Sequence, residues 1–284
     1  MKVASFIRPD GSDGFGIVVA GGVRDIEARK LGPWRTAAEL AADQSARRDP
    51  DFSTSADFRL DEVTLLPPSP APHRIVCVGL NYRAHILETG RETPSYPTLF
   101  ARFADSLVGH GQHMVAPAAS AAFDFEGELA VIIGRGGRHI REQDALQHVA
   151  GYTAFNDGSI RDYQYKTSQF LPGKCFWRSG AAGPFLVTPD EVGPLGDLQL
   201  QTRLNGEIVQ VASVGDLLFD VERLIAELSA LFPLYTGDVI ATGTPGGVGV
   251  ARNPQLFMRP GDTIEVEIGP IGTLRNTIVA ETEA

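Results

Sequence analysis

The chain has 284 residues, of which 43% are hydrophobic, and this is enough to bury a core. Its formal net charge of −10 argues against general binding to nucleic acid or to an anionic membrane surface. The apolar runs are shorter than the ~18 residues of a membrane-spanning helix, and 31 glycines with 19 prolines argue against long helical bundles.

Residues 1–66 are predicted to form a small N-terminal domain. Short alternating stretches near 3–7 and 16–23 predict antiparallel strands joined by a tight turn, and 36–42 predicts a short helix. Four prolines in 67–72 predict a stiff linker, because proline fits neither a helix interior nor a central strand. We therefore place the catalytic domain at 73–284.

The catalytic domain is predicted to be rich in strands. Strands are expected at 74–80, 123–133, 151–155, 264–268 and 273–280, and Asn205-Gly206 predicts a hairpin between two alternating runs. The clearest helix covers 220–232, with Asp220 as its N-cap, and a second short helix is expected at 142–149. The fold class is therefore α+β and β-rich, with few helices.

The common nucleotide-binding and hydrolase motifs do not occur. The glycine-rich run 243–249 lacks the Lys of a P-loop, and the chain has no G-x-G-x-x-G, G-x-S-x-G or H-E-x-x-H pattern. These absences argue against a Rossmann dinucleotide site, a serine-hydrolase elbow and a zinc protease.

Three carboxylates suggest a metal site. Glu126 and Glu128 are two apart in a predicted strand and so share a face, and Asp157 follows the predicted strand 151–155. Neighbouring carboxylates on a partly buried strand need solvent, a proton or a cation, so a wet edge strand is the alternative. Three oxygen ligands favour Mg²⁺ or Mn²⁺, and Ca²⁺ is also compatible with them.

His85 and Glu88 form a candidate dyad. In a helix, residues three apart lie on one face, so the carboxylate can orient the imidazole and raise its basicity. Such a histidine suits a general base that activates water. The alternative is an exposed pair with a small structural effect.

Five segments, in order, resemble the fumarylacetoacetate hydrolase family. They are 77–88 (CVGLNYRAHILE), 124–131 (DFEGELAV), 151–164, 173–176 and 237–249. The resemblance spans about residues 73–280. It implies mixed β-sheets rolled around the active site, a small N-terminal α/β domain and, usually, a homodimer.

The resemblance also implies roles for individual residues. Glu126, Glu128 and Asp157 would bind the metal, and His85 with Glu88 would activate water on a segment that closes over the site. The remaining assignments are Lys174 and Gln164 for stabilising the oxyanion, and Tyr82, Arg102, Ser106, Arg161 and Thr244 for binding substrate.

Two positions depart from the family pattern. Arg102 stands where members often have Lys, and it could bind a carboxylate bidentately. Cys175 stands where Ser or Asn is common, and we interpret it as an inert thiol in preference to an activated one. Both changes affect the identity of the substrate more than the type of reaction.

We expect a metal-dependent hydrolase that cleaves a carbon–carbon bond in a 1,3-diketo acid of the acylpyruvate or fumarylpyruvate type. The alternative on the same metal site is a decarboxylase or keto–enol isomerase of an oxaloacetate- or hydroxymuconate-type diacid. A third hypothesis is a non-catalytic binding protein. The start of the sequence carries no apolar stretch typical of a signal peptide, so we expect a cytoplasmic homodimer with a small keto acid as its partner.

Overall fold

The computed structural model describes residues 1–46, 55–90 and 92–283, so positions 47–54 of the predicted N-terminal domain lie outside the described residues. The strands are β1 (Lys2–Ile7), β2 (Asp13–Val19), β3 (Gly22–Asp25), β4 (Thr64–Leu65), β5 (Ile75–Gly79), β6 (Thr98–Arg102), β7 (Leu107–Val108), β8 (Met114–Ala116), β9 (Phe123–Asp124), β10 (Gly127–Ile133), β11 (Val149–Asn156), β12 (Ser159–Ile160), β13 (Gly180–Val187), β14 (Gln199–Leu204), β15 (Glu207–Ser213), β16 (Val239–Ala241), β17 (Thr263–Ile268) and β18 (Gly272–Ala280). The α-helices are α1 (Ile26–Arg29), α2 (Ala37–Ala42), α3 (Arg83–Thr89), α4 (Arg161–Gln164), α5 (Leu171–Lys174), α6 (Pro189–Val192) and α7 (Val221–Leu231). Short 3₁₀ turns cover Ala104–Ser106, Glu142–His148, Leu195–Asp197, Val214–Asp216, Gly249–Ala251, Gly269–Ile271 and Glu281–Glu283.

The described residues form one large sheet and two smaller ones. The large sheet has 11 strands in the order β3-β2-β1-β13-β11-β10-β16-β5-β6, with β4 and β7 paired at its side. A second sheet runs β15-β14-β17-β18-β8, and β12 pairs with β9. The fold is thus mixed α+β and rich in sheet, as the sequence predicts. None of the helices in the described ranges has the length and apolar character to cross a membrane.

The N-terminal segment joins the large sheet. β1 pairs antiparallel with β13, with Val3 opposite Leu186. The proline-rich segment forms neither helix nor strand, and it is tied by Ser5 Oγ to Pro68 O at 3.0 Å and by Ser69 Oγ to Gly237 O at 2.7 Å. Because hydrogen bonding continues across the proposed boundary, the division into two domains stays a prediction.

Strand β10 is covered on both faces. Leu129, Val131 and Ile133 belong to the core cluster shared with the five-stranded sheet, while Ala130 and Ile132 pack in the cluster that includes the N-terminal strands. This two-sided burial fits the continuous apolar run in its sequence. Glu128 therefore enters the site from one of the most deeply buried strands of the protein.

Two sequence predictions in this region need correction. The strand predicted over 123–133 is interrupted, because β9 pairs with β12 and the Glu126 amide donates to Asn156 Oδ1 at 3.1 Å instead of to a neighbouring strand. The helix predicted at 142–149 is a 3₁₀ helix, whose first turn closes from Asp144 N to Arg141 O. The hairpin β14–β15 and helix α7 with its Asp220 cap are confirmed.

Candidate active site

The three predicted metal ligands converge. Glu128 lies on β10, Glu126 directly precedes that strand, and Asp157 directly follows β11, its antiparallel neighbour. The Asp157 amide donates to Glu126 O at 2.8 Å, which fixes the two chain segments together. Ligand oxygens of all three residues lie within 4.8 Å of one another, and the three side chains are 0–6% exposed. This burial excludes the wet edge strand considered above.

Two of the carboxylates are neutralised by buried cations. Lys174 Nζ lies 2.8 Å from Glu126 Oε2 and 2.6 Å from Asp157 Oδ2, and Arg161 lies 2.6 Å from Glu126 Oε1. Burial acts to raise the pKa of Glu126, but Lys174 and Arg161 outweigh it and lower that pKa to about 2. Burial also disfavours the charge on Lys174, yet Asp157 and Glu126 raise its pKa.

Glu128 differs from its two neighbours. Its Oε2 accepts a hydrogen bond from Gly243 N at 2.9 Å, and within the described ranges it has no ion pair. Burial, together with the charges of Asp157 and Glu126, raises its pKa well above the ordinary value. A buried carboxylate facing two others without a cation of its own fits a divalent ion with oxygen ligands. Glu126, Glu128 and Asp157 are therefore suited to hold Mg²⁺ or Mn²⁺.

Arg102 and Ser106 do not line the cavity. Arg102 is 3% exposed, and its Nη1 donates to Asp157 Oδ1 at 2.6 Å and to Gly158 O at 3.0 Å. Its Nε donates to Ser106 Oγ at 3.1 Å, and Ser106 Oγ donates to Phe103 O at 2.7 Å. Arg102 thus holds Asp157, and Ser106 holds Arg102, so we interpret both as supports of a predicted metal ligand instead of substrate-binding groups.

Cys175 is an ordinary thiol. Its Sγ lies 3.6 Å from Ala101 O, and burial raises its pKa. The interpretation of this residue as inert agrees with that environment, since a reactive cysteine needs a lowered pKa.

The dyad is present on α3. His85 Nδ1 lies 3.3 Å from Glu88 Oε2, and Gly247 N donates to Glu88 Oε1 at 2.9 Å. Burial acts to raise the pKa of Glu88, but the bonds from His85 and Gly247 lower it overall. The carboxylate therefore stays charged, orients the imidazole and connects α3 to the glycine-rich loop.

A sharp turn directs α3 across the cavity. Leu80, between β5 and α3, has φ +57°, a left-handed conformation that costs a non-glycine residue about 1–2 kcal/mol. Asn81 holds this turn in place, since its Nδ2 donates to Phe219 O at 2.9 Å and to Thr242 O at 2.7 Å. Leu80 also lines the cavity, so the strained turn directly borders the site.

The site opens into a small cavity of about 50 Å³. Its polar wall includes His85, Glu126, Arg161, Gln164, Lys174 and Thr244. Its apolar wall includes Val78, Leu80, Phe100, Phe170, Val248 and Val250. This volume is far below the ~300–1,000 Å³ of pockets that bind drug-sized ligands, so the cavity favours a short substrate over a long one.

Arg161 lines this cavity and has one buried donor atom without a described partner. Its Nε donates to Asp124 Oδ2 at 2.8 Å and its Nη1 to Gln164 Oε1 at 2.8 Å, while its buried Nη2 has no hydrogen-bond partner among the described residues. A buried guanidinium N–H without a partner suits an anionic ligand. Tyr82, by contrast, is 1% exposed and does not line the cavity.

Asp124 was not assigned a role from the sequence. It accepts hydrogen bonds from Gly249 N at 2.7 Å and Val250 N at 2.9 Å as well as from Arg161. It therefore fixes both the guanidinium and the loop that forms the apolar wall. The sequence signals for Asp124 are its place two residues before Glu126 and at the start of the family-like segment 124–131, and neither separates it from an ordinary strand-end acid.

The chain was compared with known proteins. Residues 74–279 match the family described as fumarylacetoacetate (FAA) hydrolase C-terminal. The human mitochondrial oxaloacetate tautomerase FAHD2A is 44% identical over 220 residues, which cover 77% of this chain and 70% of that protein.

Solved structures share the fold over almost the whole chain. Fumarylacetoacetate hydrolase from Exiguobacterium antarcticum gives a TM-score of 0.85 at 35% identity, covering 99% of this chain and 100% of that one. Maleylpyruvate hydrolase from Sphingobium sp. SYK-6, solved with manganese(II) and pyruvate, gives 0.79 at 26% identity and covers 99% of both chains. This protein belongs to the fumarylacetoacetate hydrolase family.

Proposed function

We propose that this protein interconverts the keto and enol forms of a small β-keto dicarboxylate of the oxaloacetate type, with Mg²⁺ or Mn²⁺ bound by Glu126, Glu128 and Asp157. The observation that carries the proposal is that His85 and Glu126 line the same small cavity, where a proton acceptor and a metal ligand would meet one substrate. The human relative, named an oxaloacetate tautomerase, supports this substrate class.

His85 moves the proton in this proposal. With a proton on Nδ1 directed at Glu88, the imidazole keeps Nε2 free as a base. It takes a proton from the carbon between the two carbonyl groups and returns it to the enolate oxygen, and the reverse reaction uses the same steps. No water is consumed, and the proton count of the enzyme is restored after each turnover.

The polar wall binds the acid. A bound divalent ion supplies Lewis-acid polarisation of the keto group, which lowers the energy of the enolate. Arg161 Nη2 is available to a substrate carboxylate, and Lys174 places a second positive charge on the same wall. Gln164 orients Arg161 through its Oε1, so these side chains select an anion and hold its reacting carbon near His85.

A hydrolase on the same residues is the second candidate. The dyad could activate water, and the Sphingobium relative is named a maleylpyruvate hydrolase. The tautomerase is favoured because its named relative is 44% identical, against 35% for the Exiguobacterium hydrolase and 26% for the Sphingobium hydrolase. The expected homodimer and cytoplasmic location stay predictions.

A substrate panel tests the proposal. The purified protein is assayed with Mg²⁺, with Mn²⁺ and with EDTA on enol-oxaloacetate, a hydroxymuconate-type diacid, acylpyruvates and fumarylpyruvate. Metal-dependent ketonisation of enol-oxaloacetate without carbon–carbon cleavage is expected. Cleavage of acylpyruvates without faster ketonisation would establish the hydrolase instead, and no metal-dependent turnover of any substrate would favour the binding protein.

A further inference from the structure

Gln210 lies outside every motif discussed above, yet its side chain reaches the metal site. It belongs to β15 in the five-stranded sheet and is 2% exposed. Glu128, by contrast, lies on β10 in the large sheet. A polar side chain buried between two sheets needs hydrogen-bond partners. Among the described residues, those of the Gln210 side chain are Gly127, Thr244 and Pro245, which lie beside the metal ligands or in the glycine-rich loop.

The Gln210 amide closes a ring of hydrogen bonds around Gly127. Gly127 N donates to Gln210 Oε1 at 3.0 Å, and Gln210 Nε2 donates to Thr244 Oγ1 at 2.8 Å and to Pro245 O at 3.0 Å. Thr244 Oγ1 in turn donates to Gly127 O at 3.0 Å. Both backbone polar groups of the residue between Glu126 and Glu128 are thus tied to this ring.

The partners determine which way the amide points. Gly127 N–H is a donor and requires the oxygen of Gln210, while the Pro245 carbonyl is an acceptor and requires the nitrogen. A carboxylate or a thioether of similar length cannot satisfy both sides. The Thr244 hydroxyl donates its single proton to Gly127 O. Because Thr244 also lines the cavity, the ring determines the orientation of this hydroxyl there.

Gly127 has no side chain that could hold it in place. A Cβ there would lie 2.1 Å from Thr202 Oγ1, and Thr202 pairs directly with Gln210 on the neighbouring strand. The two sheets therefore approach so closely at this point that only glycine fits. The position of Gly127 between the two ligands therefore depends on its backbone hydrogen bonds. Gln210 accepts the bond from Gly127 N and donates to the Thr244 hydroxyl, which in turn donates to Gly127 O.

We propose that Gln210 is a positioning residue for the metal centre. By holding Gly127 and Thr244 in one hydrogen-bonded ring, it sets the spacing of Glu126 and Glu128 for a divalent cation. This inference rests on the metal site of the proposed function, but not on the reaction carried out there. Side chains that orient metal ligands typically change metal affinity about 10–100-fold when they are replaced.

Calorimetric titration of Mn²⁺ into the metal-free full chain tests the inference. Gln210→Met removes every bond of the amide, and Gln210→Glu keeps the length and the acceptor for Gly127 but loses the donor; both are expected to bind Mn²⁺ about 10–100-fold more weakly. The matched control is Thr202→Ala, which removes buried volume beside Gly127 but none of the ring's hydrogen bonds. It should leave the Mn²⁺ affinity within twofold of wild type.

The double variant Gln210→Met/Thr244→Val gives a second reading. The ring acts as a unit in this account. The double variant should therefore lose no more Mn²⁺ affinity than the weaker-binding of the two single variants, Gln210→Met and Thr244→Val. Three results would each overturn the inference. The first is Mn²⁺ affinity within twofold of wild type in a folded Gln210 variant, and the second is an equal loss of Mn²⁺ affinity in Thr202→Ala. The third is a double variant in which the losses of Mn²⁺ affinity of the two single variants multiply. A wild type that binds no Mn²⁺ would remove the metal site altogether, whereas Mn²⁺ binding without keto–enol turnover would remove only the proposed reaction.

Discussion

Glu126 of the acidic triad and His85 of helix α3 line the same cavity, but the triad and the helix are built differently. Glu128 lies on a strand paired on both sides, and Glu126 and Asp157 are each ion-paired to buried cations. Helix α3 has only seven residues, and Leu87 on it is 80% exposed. Its docking to the glycine-rich loop includes the hydrogen bond from Gly247 N to Glu88.

This difference separates two functions in space. In the proposed reaction, the sheet supplies a permanent arrangement of charge for a cation and an anionic substrate, while α3 supplies the group that moves a proton. Replacing a residue of the triad should therefore change metal affinity and turnover together. Replacing a residue of α3 should change turnover alone.

Glu128→Gln should have the largest effect. It removes a metal ligand, so we expect no measurable Mn²⁺ binding in calorimetry and no turnover. In EDTA the variant should be more stable than wild type at neutral pH, because burial and the charges of Asp157 and Glu126 raise the pKa of Glu128 and so make its ionised form unfavourable in the folded protein. Exposed Glu207→Gln is the control, and wild-type Mn²⁺ affinity in Glu128→Gln would place the metal elsewhere.

His85→Ala should lower kcat about 10²–10⁴-fold, the usual contribution of a general acid or base. Its Mn²⁺ affinity should stay within twofold of wild type, since His85 is not among the three clustered ligands. Steady-state kinetics and titration on one preparation check both values, with exposed His113→Ala as control. A large loss of metal affinity would break the division between sheet and helix.

Asp124→Asn tests how much the buried ion pair between Asp124 and Arg161 contributes to stability. Each contact of Asp124 comes from a donor, so an amide nitrogen there would face an N–H group. Breaking this buried pair with Arg161 should lower the free energy of unfolding by about 3–5 kcal/mol in urea titrations. Asp162→Asn, at an exposed position, should change it by less than about 0.5 kcal/mol; a similarly small change in Asp124→Asn would contradict the account.

Glu88→Gln should have the smallest effect of the four. The amide can still accept from Gly247 N, but the charge that orients His85 is lost. We expect kcat to fall about 10-fold, which is near the lower limit of the effect of replacing a side chain that orients a functional residue. Mn²⁺ affinity should be unchanged. Glu92→Gln, an exposed acid near the end of α3, is the matched control; equal rates in both variants would show that Glu88 has no role in orienting the base.

Local patterns predicted much of this structure. Alternation and Asn205-Gly206 identified the β14–β15 hairpin, and apolar spacing with the Asp220 cap identified α7. Spacing suggested that Glu126 and Glu128 share a face, but the resemblance was needed to bring Asp157 to them. These features depend on residues close in sequence or on recognised segments.

Contacts between distant segments were not predictable in the same way. The resemblance predicts Arg102 at the substrate, yet it contacts Asp157, which lies 55 residues away. Gln210 reaches Gly127 across 83 residues and from another sheet. No periodicity encodes such pairings, because they arise only when the two sheets pack and leave buried polar groups that need partners.

Hydrogen–deuterium exchange at the carbon next to the keto group tests the central claim most directly. Oxaloacetate, or a non-decarboxylating analogue, is incubated in D₂O with the Mg²⁺-loaded protein and followed by proton NMR. The account predicts rapid metal-dependent exchange by wild type and, with Mg²⁺ still bound, exchange slowed about 10²–10⁴-fold in His85→Ala. Equal exchange rates in the two proteins would contradict the assignment of proton transfer to His85.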